Sequence, residues 1–421
     1  MLGTLFSVYL IVDAGLDPFR LLILGTVLEA SVLVFEVPTG VVADVVSRRL
    51  SVIVGLFVIG AGLFVTGAFE SFGLLVLGST LWGLGWTFVS GAEEAWIADE
   101  VGEDEAAKLY LRGAQAGQLG ALLGIPVAVA LATADLGLPI VVAGIGWMVL
   151  GLAMAFLMPE EHFNRTVNGE RKRMVRTLTE GVRTVRRNHV LVLVLVVAAL
   201  HGMATEGFDR LSQLHLLRGT SFPEVGRLGL VVWFGVIEAV GLLLAIAATE
   251  ILKRKADVAS HAGTTRVLAG IDLLLVASVV AFGLLGAFWF ALLAYWTVAF
   301  LREVREPVFT AWVNRGLESS TRATVNSVAG QMDAVGQIAG GPTIGVVAVW
   351  SGVPAAIAVA GLLRAPALAL YGRALRHGVE TSPEAPPVEV VPEPRIPGTP
   401  QLPGPAHRPG ESNTPGESKP D

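Results

Sequence analysis

Long apolar runs separated by short polar segments dominate this sequence. A helix must contribute about 20 residues to cross a hydrocarbon core of roughly 30 Å, and eleven runs reach that length. Each run predicts one transmembrane helix, so we expect an all-α membrane protein. The predicted spans are 21–43, 50–69, 73–97, 113–133, 139–158, 190–213, 227–252, 266–285, 287–312, 325–349 and 353–375.

The apolar stretch at the N-terminus is shorter than the others. Residues 1–12 precede Asp13 and Pro18, and at about 1.5 Å per residue they reach roughly 18 Å, little more than half a bilayer. We therefore predict one further helix that is truncated, with Met1 inside it. It is counted as the first of twelve, so the eleven spans given above are the second to the twelfth. Either this half-helix is real or the natural start lies upstream of Met1.

The composition agrees with a membrane protein and excludes several kinds of chemistry. Charged residues make up 16% of the chain, against roughly 25% in an ordinary soluble domain. Cysteine is absent, which excludes disulfides, thiolate metal sites and cysteine nucleophiles. No His-rich metal spacing, nucleophile elbow or phosphate-binding loop occurs, so we expect no enzyme activity, cofactor or metal. The basic residues lie in short loops, which disfavours nucleic acid as a partner.

The distribution of Lys and Arg predicts the orientation. Cytoplasmic loops of membrane proteins carry an excess of these residues. If the second helix ends in the cytoplasm at Asp44, the inner segments hold most basic residues, and the outer loops hold little beyond Arg20, Arg218 and Arg227. We therefore place both termini in the cytoplasm of a multi-pass protein in the cell (plasma or inner) membrane.

A polar segment divides the predicted spans into two halves. Residues 159–189 contain eight Arg and Lys residues and are predicted to form a cytoplasmic linker between six-helix bundles at 1–158 and 190–376. Two similar halves joined in this way are typical of transporters built from repeats. Residues 377–421 are rich in Pro, Glu, Gly and Ser, and predict a disordered cytoplasmic tail.

Ionisable residues inside the spans are the candidate functional groups, because each costs about 2.5–3.5 kcal/mol at the bilayer centre. Glu29 and Glu36 are seven residues apart in the second helix and therefore face the same side. A carboxyl group satisfied by its neighbours is the alternative for each. Glu93 and Glu94 lie about one turn inside the cytoplasmic end of the fourth predicted span, where proton exchange or cation attraction competes with a salt-bridged gate.

In the second half, charges concentrate in the seventh and tenth helices. Glu206 and Arg210 have the i,i+4 spacing of a helical ion pair and lie with Asp209 at the predicted outer end of the seventh helix. A gate latch, a substrate contact and an interfacial pair all remain open there.

The tenth helix carries four charges in its inner half, and Arg302 and Glu306 again have the i,i+4 spacing. Pro307 follows them and favours a kink, which points to a moving part or a binding surface. Glu238 and Asp333 complete the predicted solute and proton pathway. Arg364 is expected to snorkel or to mark a shorter final helix. The four charges are Arg302, Glu303, Arg305 and Glu306.

Two spans are rich in glycine. Small residues spaced by four allow close helix packing in lipid, and this spacing occurs in the fifth span (Gly113, Gly117, Gly120, Gly124) and in the eleventh, around Gly336, Gly340 and Gly341. Both patterns end in proline, at Pro126 and Pro342, and both contain Gly-Gln. We predict packing roles for Gly340, Gly341 and Pro342, and a weak internal repeat.

Residues 38–49 read Pro-Thr-Gly-Val-Val-Ala-Asp-Val-Val-Ser-Arg-Arg. This segment resembles the loop between helices 2 and 3 of the major facilitator superfamily, whose pattern is Gly, three residues, Asp, a basic residue, any residue, Gly and two basic residues. The matching residues are Gly40, Asp44, Arg48 and Arg49, whereas Val45 and Ser47 depart from the pattern.

The resemblance implies a fold of two six-helix bundles and a cytoplasmic gate formed by the four matching residues. Gly340-Gly341-Pro342 resembles the antiporter motif of drug-efflux members, although that motif belongs to helix 5. The helix 4 arginine used for proton coupling in efflux members has no counterpart between Trp82 and Val89, so proton coupling would use carboxylates.

We therefore expect a monomeric secondary transporter in a lipid bilayer that works by alternating access, with protons as the coupling ion. Export of a small amphipathic or cationic molecule is the first reading. Import of a nutrient or metabolite by a symporter of the same fold is the alternative, and a receptor that does not transport is a third.

Overall fold

The computed structural model describes residues 3–163, 189–223, 229–255, 261–314 and 319–376. The predicted tail and all but the ends of the predicted linker lie outside these residues. The described part of the chain is helical, as expected. The helices are α1 (Gly3–Val12), α2 (Pro18–Val45), α3 (Arg48–Ala68), α4 (Phe72–Val89), α5 (Ala92–Val101), α6 (Glu103–Ala132), α7 (Leu138–Leu157), α8 (His189–Gly219), α9 (Leu230–Lys255), α10 (His261–Leu284), α11 (Phe288–Asn314), α12 (Ser319–Leu363) and α13 (Ala365–Arg376).

These helices supply twelve spans. Nine helical stretches of the described residues are long and apolar enough to cross a membrane. The longest stretch counts twice, because the chain breaks at Gly352 with φ 85°, and 45 residues of continuous helix would be about twice as long as the bilayer core is thick. The charged helix α11 and the short helix α1 complete the set. The described residues thus match the predicted fold of twelve membrane helices, in which the first helix is short.

Several predicted spans have different bounds in the structure, and three of these differences affect charged residues. The fourth is broken after Val89, because Gly91 adopts φ 71°, and a separate helix α5 begins at Ala92. The fifth begins ten residues earlier than predicted, at Glu103. The seventh continues beyond residue 213 to Gly219, and Leu214, His215 and Leu216 in the added turn are buried rather than interfacial.

Glycine crossings join three helices of the first bundle, α3, α4 and α7. Helix α3 packs against α4 and α7, and a Cβ atom at Gly60 would lie 2.7 Å from the carbonyl oxygen of Gly144. Gly55 and Gly85 form an equivalent crossing between α3 and α4. Only glycine permits such a close approach of two backbones. The dispersion contacts that result favour helix association in lipid, where there is no hydrophobic driving force between helices.

The second bundle has a similar crossing between α8 and α12. A Cβ at Gly202 would lie 2.0 Å from the carbonyl oxygen of Asp333, and one at Gly336 would lie 2.0 Å from that of Ala199. Gly340 packs against Met203 of α8, and α12 continues as helix through Pro342. This crossing fixes the backbone of α12 beside the charged residues of α8.

The two bundles meet at one end, which we call the closed end. There α2 packs against α12 through Gly341, which lies beside Thr26, and Gly345, which lies beside Phe19. Helices α6 and α9 meet where Gly235 faces Val129. The closed end is the one at which α2 begins and α6 ends.

At the opposite, open end the bundles diverge. A Cβ atom at Gly113, Gly117 or Gly120 of α6 would meet nothing within 4 Å. The packing role predicted for these glycines is therefore wrong in this conformation, since the first half of α6 projects away from its neighbours. The α2–α3 loop lies at this same open end.

Candidate solute pathway

The α2–α3 loop forms an ion-pair cluster at the open end. Asp44 is the last acid of α2, and Arg48 begins α3 one turn later, with 3.9 Å between Asp44 Oδ1 and Arg48 Nη2. Arg48 Nη1 also pairs with Asp99 of α5 and donates to the carbonyl oxygen of Ala95 at 3.0 Å. Three of the four matching residues therefore begin or end helices at a charged junction, whereas Gly40 lies within α2 with nothing close to its Cβ position.

Ser47 departs from the family pattern but has a clear structural role. Its hydroxyl accepts the backbone N–H of Leu50 at 2.9 Å, which caps α3. The same hydroxyl donates to Glu160 Oε2 at 2.7 Å, and Glu160 Oε1 accepts the backbone N–H of Arg49 at 3.0 Å. The residues just after α7 are thereby attached to the loop.

A second group of charges lies where the bundles meet. Glu206 Oε1 accepts the Nε–H of Arg210 at 3.1 Å, so the ion pair predicted from the i,i+4 spacing is confirmed. Its predicted position near the outer end of the helix is wrong, because α8 continues to Gly219 and Glu206 is fully buried near mid-helix. Gly25 of α2 packs directly on this pair, since a Cβ there would clash with both side chains.

The Glu206–Arg210 pair is surrounded by other charges. Glu29, one turn along α2 from Gly25, interacts electrostatically with Arg210, Asp333 and Asp209. No ion pair involves Glu29 in the described residues. The first and second bundles therefore face each other here through an unpaired carboxylate and a paired arginine.

Arg302 of α11 binds across the bundle rather than along its own helix. Its guanidinium makes two contacts with the carboxylate of Asp209, including 3.0 Å from Nη2 to Oδ2. The predicted Arg302–Glu306 pairing is wrong, because Asp209 on the neighbouring α8 offers a bidentate partner that suits the planar guanidinium better.

The deepest ion cluster centres on Asp272 of α10, which sequence reasoning missed. Asp272 is 0% exposed. Its Oδ1 accepts Arg305 Nε at 2.9 Å and Arg364 Nη1 at 3.2 Å, and its Oδ2 accepts the Tyr371 hydroxyl at 2.8 Å. A lone acid inside the apolar run 266–285 was the signal that could have found it, by the rule applied to the other spans.

The same cluster corrects the account of Arg364. This side chain is buried and touches both Asp272 and the Nδ1 of His201, so it does not snorkel. It lies between α12 and α13, where helical geometry is interrupted. Through its contact with Arg364, His201 of α8 also belongs to this charged cluster.

The charged segment of α11 divides into two faces. Arg302 and Arg305 turn toward acids of α8 and α10, whereas Glu303 and Glu306 are exposed and have no ion pair in the described residues. The neighbours Arg302 and Glu303 border one cavity, and Arg305 and Glu306 border another. One of about 340 Å³ includes Glu238, Tyr295 and Glu303, and one of about 480 Å³ includes His201, Glu306 and Asp333.

The remaining predicted residues lie apart from these ion clusters. Glu36 is exposed on the second half of α2. Glu93 and Glu94 are exposed in the first turn of α5, where the helix dipole favours carboxylates, rather than inside a continuous fourth span. Glu238 Oε2 accepts the backbone N–H of Thr4 at 3.0 Å, which joins α9 to α1. No cluster of potential metal ligands occurs among the residues the structure covers.

The charges in and around the pathway follow one rule. The arginines Arg210, Arg302, Arg305 and Arg364 are engaged by carboxylates within the second bundle. Glu29, Glu303, Glu306 and Asp333 have no ion-pair partner in the described part of the chain. The accessible interior consequently carries a surplus of negative charge.

Comparison with known proteins agrees with this architecture. The family model for the Major Facilitator Superfamily matches residues 1–302. The "Uncharacterized MFS-type transporter YxaM" of Bacillus subtilis (strain 168) is 22% identical over 371 residues, which cover 86% of this chain and 88% of the relative.

Solved transporter structures share the fold. A POT family transporter in complex with 5-aminolevulinic acid has a TM-score of 0.68 at 15% identity, covering 89% of this chain and 91% of that one. A bacterial homolog of the human lysosomal transporter Spinster, inward-facing and occupied, gives 0.67 at 13%, covering 89% and 93%. The nucleoside transporter NupG gives 0.68 at 13%, covering 89% and 94%. At such identities the similarity establishes the fold alone.

Proposed function

Because this chain belongs to the Major Facilitator Superfamily, we propose that it is a secondary active transporter that exchanges protons for a small amphipathic or cationic molecule by alternating access. The direction proposed for the solute is export. We further propose that it works as a monomer in the plasma or inner membrane, with both termini in the cytoplasm.

The observation that carries the proposal is an open interior with unpaired acids. The bundles touch at the closed end and diverge at the open end, so the interior is accessible from one side. Arginines in this interior are engaged by carboxylates, whereas Glu29, Glu306 and Asp333 are not paired. A surplus of carboxylates attracts cations and disfavours anions.

The same carboxylates support protons as the coupling ion. An acid held by an arginine stays ionised, whereas an acid that no cation neutralises can exchange its proton with water in the cavity. Glu29 is the best candidate because it belongs to the first bundle and interacts with Arg210 of the second. Gain or loss of its proton would therefore change the attraction between the two bundles. Competition between a proton and a cationic solute for one carboxylate would give exchange.

The orientation follows from the loop charges. The open end carries the α2–α3 loop with Arg48 and Arg49, and such positive loops face the cytoplasm in most membrane proteins. On this assignment the structure is open to the cytoplasm, the side from which an exporter loads its solute.

The test is ethidium uptake into proteoliposomes that contain trapped DNA, with the membrane potential clamped by potassium and valinomycin. Proton exchange predicts uptake when the interior is acidic and little when the gradient is reversed. Glu29→Gln should lose the gradient dependence, whereas Glu103→Gln, an exposed change at the start of α6, should behave as wild type.

Each contrary result has a definite meaning. Uptake only with an acidic exterior would replace exchange by symport and favour the import alternative. Uptake no faster than in protein-free liposomes under both gradients, from correctly folded protein, would reject cation transport and revive the receptor alternative.

A further inference from the structure

We propose that the cavity of about 480 Å³ between α8, α11 and α12 is the cation-binding subsite, and that it takes an organic cation through Asp333 and Glu306. The proposal rests on the proposed function and deepens it by naming where the solute's charge is held. The cavity runs from the middle of the second bundle toward the open end.

Three helices supply the polar wall of this cavity. Asp333 and Asn326 come from α12, Glu306 and Thr310 from α11, and His201 from α8. Ala198, Phe309 and Val313 supply apolar surface. A mixture of apolar wall and a few polar groups is typical of sites for small organic molecules.

Asp333 is a carboxylate without a full set of partners. Its Oδ2 accepts the Nε2–H of Gln337 at 2.9 Å, but its Oδ1 is shielded from solvent and has no hydrogen-bond partner in the described residues. Leaving a buried polar group unsatisfied costs on the order of 1–3 kcal/mol, more when it is charged. Because Oδ1 is shielded from solvent, a cation in the cavity would lower this cost through its charge rather than by direct contact with Oδ1.

The arginine beside the cavity does not neutralise Asp333. Arg305 borders the same space, but its Nε is bound to Asp272 at 2.9 Å and its guanidinium lies over the Phe309 ring at 4.7 Å. Asp333 and Glu306 remain as two carboxylates opposite one arginine that is already committed. The net charge of the cavity wall therefore favours a positively charged solute.

The size of the cavity favours an organic cation over a bare metal ion. Each water occupies about 30 Å³ in the liquid, so a volume near 480 Å³ would leave an inorganic cation surrounded by loose water. Ligand pockets for small organic molecules commonly span about 300–1,000 Å³. The volume and the charge together indicate one organic molecule with a cationic group.

The backbone that carries Asp333 is held rigidly. A Cβ at Gly202 would lie 2.0 Å from the carbonyl oxygen of Asp333, so α8 and α12 are in direct backbone contact at this residue. The carboxylate is therefore presented from a fixed point, which lowers the entropic cost of binding.

The experiment compares two ions of nearly the same shape and opposite charge, tetraphenylphosphonium and tetraphenylborate, by equilibrium binding to purified protein at constant pH. Tetraphenylphosphonium should bind saturably and tetraphenylborate should not. Asp333→Asn should weaken tetraphenylphosphonium binding about tenfold or more, and Glu306→Gln should weaken it less, because Glu306 is the more exposed of the two.

Two further variants separate binding from folding. Gly330 borders the cavity, and a side chain there would meet nothing within 4 Å, so Gly330→Leu should fill the cavity and weaken binding without lowering thermal stability. Glu103→Gln is the matched charge control and should bind as wild type.

The proposal is overturned if Asp333→Asn and Gly330→Leu both bind tetraphenylphosphonium as wild type does. It is also overturned if sodium chloride, compared with choline chloride, stabilises wild type but not Asp333→Asn, since the site would then hold an inorganic ion. Ethidium uptake that survives Asp333→Asn would reject this subsite and leave the proposed transport intact. Binding that depends on Asp333 without gradient-driven uptake would support the subsite and reject proton exchange.

Discussion

The two bundles bury different kinds of polar groups. In the first, the buried polar side chains of the described residues are hydroxyls, such as Thr39, Ser51 and Thr66, and these donate to backbone carbonyls, as Ser51 Oγ does to Phe88 at 2.7 Å. In the second, Glu206, Asp272, Arg305 and Arg364 are all buried. Most charges of the first bundle lie instead at its two ends, as in the Arg48–Asp99 pair and the Arg20–Asp17 pair.

The contrast indicates a division of labour. Hydroxyl groups bonded to backbone carbonyls and glycine crossings need no charge, and they hold together the helices that carry the α2–α3 loop. Buried ion pairs rarely add net stability, because desolvation offsets their attraction. Their concentration in the second bundle therefore points to a functional reason for keeping them, and the proposed cation subsite lies beside them.

The largest effect is expected from breaking the deep ion cluster. Asp272→Asn would leave Arg305 and Arg364 buried with no full negative charge between them, at a cost of about 3–5 kcal/mol. Asp99→Asn, which removes the ion-pair partner of Arg48 in a partly exposed position, should cost about 0–1 kcal/mol. Thermal unfolding in detergent measures both, and equal losses would remove the contrast between the bundles.

A smaller effect is expected from a glycine crossing of the first bundle. Gly60→Ala places a methyl group 2.7 Å from the carbonyl oxygen of Gly144, and forcing the helices apart should cost about 1–3 kcal/mol. Gly120→Ala is the control, because nothing lies within 4 Å, and it should not destabilise. If both changes had the same effect, close approach would not be what holds this bundle together.

Removing the cap of α3 should have a more modest effect. Ser47→Ala abolishes the bond to the Leu50 N–H and the bond to Glu160, and losing such a cap costs about 0.5–2 kcal/mol. Ser47→Asn, which can still cap the helix, should retain most of the stability. If the Asn variant were as unstable as the Ala variant, the contact with Glu160 would be the important one.

The smallest effect is expected at the closed end of the first bundle, where Asp13 lies between α1 and α2. Burial, then Asp135 and Glu70, raise the pKa of Asp13 above its ordinary value of 3.8. The folded protein therefore holds this proton to higher pH than the unfolded chain, so Asp13 lowers stability as the pH rises through that window. Asp13→Asn should slightly stabilise the protein at neutral pH and flatten its pH dependence above the ordinary pKa of 3.8. A steeper dependence in the variant would contradict this.

The sequence predicted features within single helices better than contacts between helices that are distant along the chain. The apolar runs predicted the spans because membrane helices satisfy their backbone within each segment. The Glu206–Arg210 pair was predictable because both residues lie on one helix. The partners of Arg302 and Arg364 are 93 and 92 residues away in sequence, and no periodicity reports which distant helices become neighbours.

Two features were mispredicted although single residues in the sequence indicated them, namely the break at Gly91 and the buried acid Asp272. Gly91 stands in the predicted fourth span, and its positive φ separates α4 from α5, so Glu93 and Glu94 start a new helix. Asp272 was overlooked because a single acid interrupts an otherwise apolar run, although its cost in a membrane should have flagged it. The sequence shows where Gly91 and Asp272 stand along the chain. It does not show which distant residues become the partners of Asp272.

The unfilled glycine face of α6 has a consequence for the speed of the transport cycle. With nothing beside Gly113, Gly117 and Gly120, another helix could approach this face without displacing any side chain. We therefore expect the rate at which the two bundles come together at the open end to depend on how fast water leaves the space between them. Rearrangement of side-chain rotamers should matter less. Solvent viscosity and osmotic pressure would then set the turnover more strongly than side-chain size along this helix.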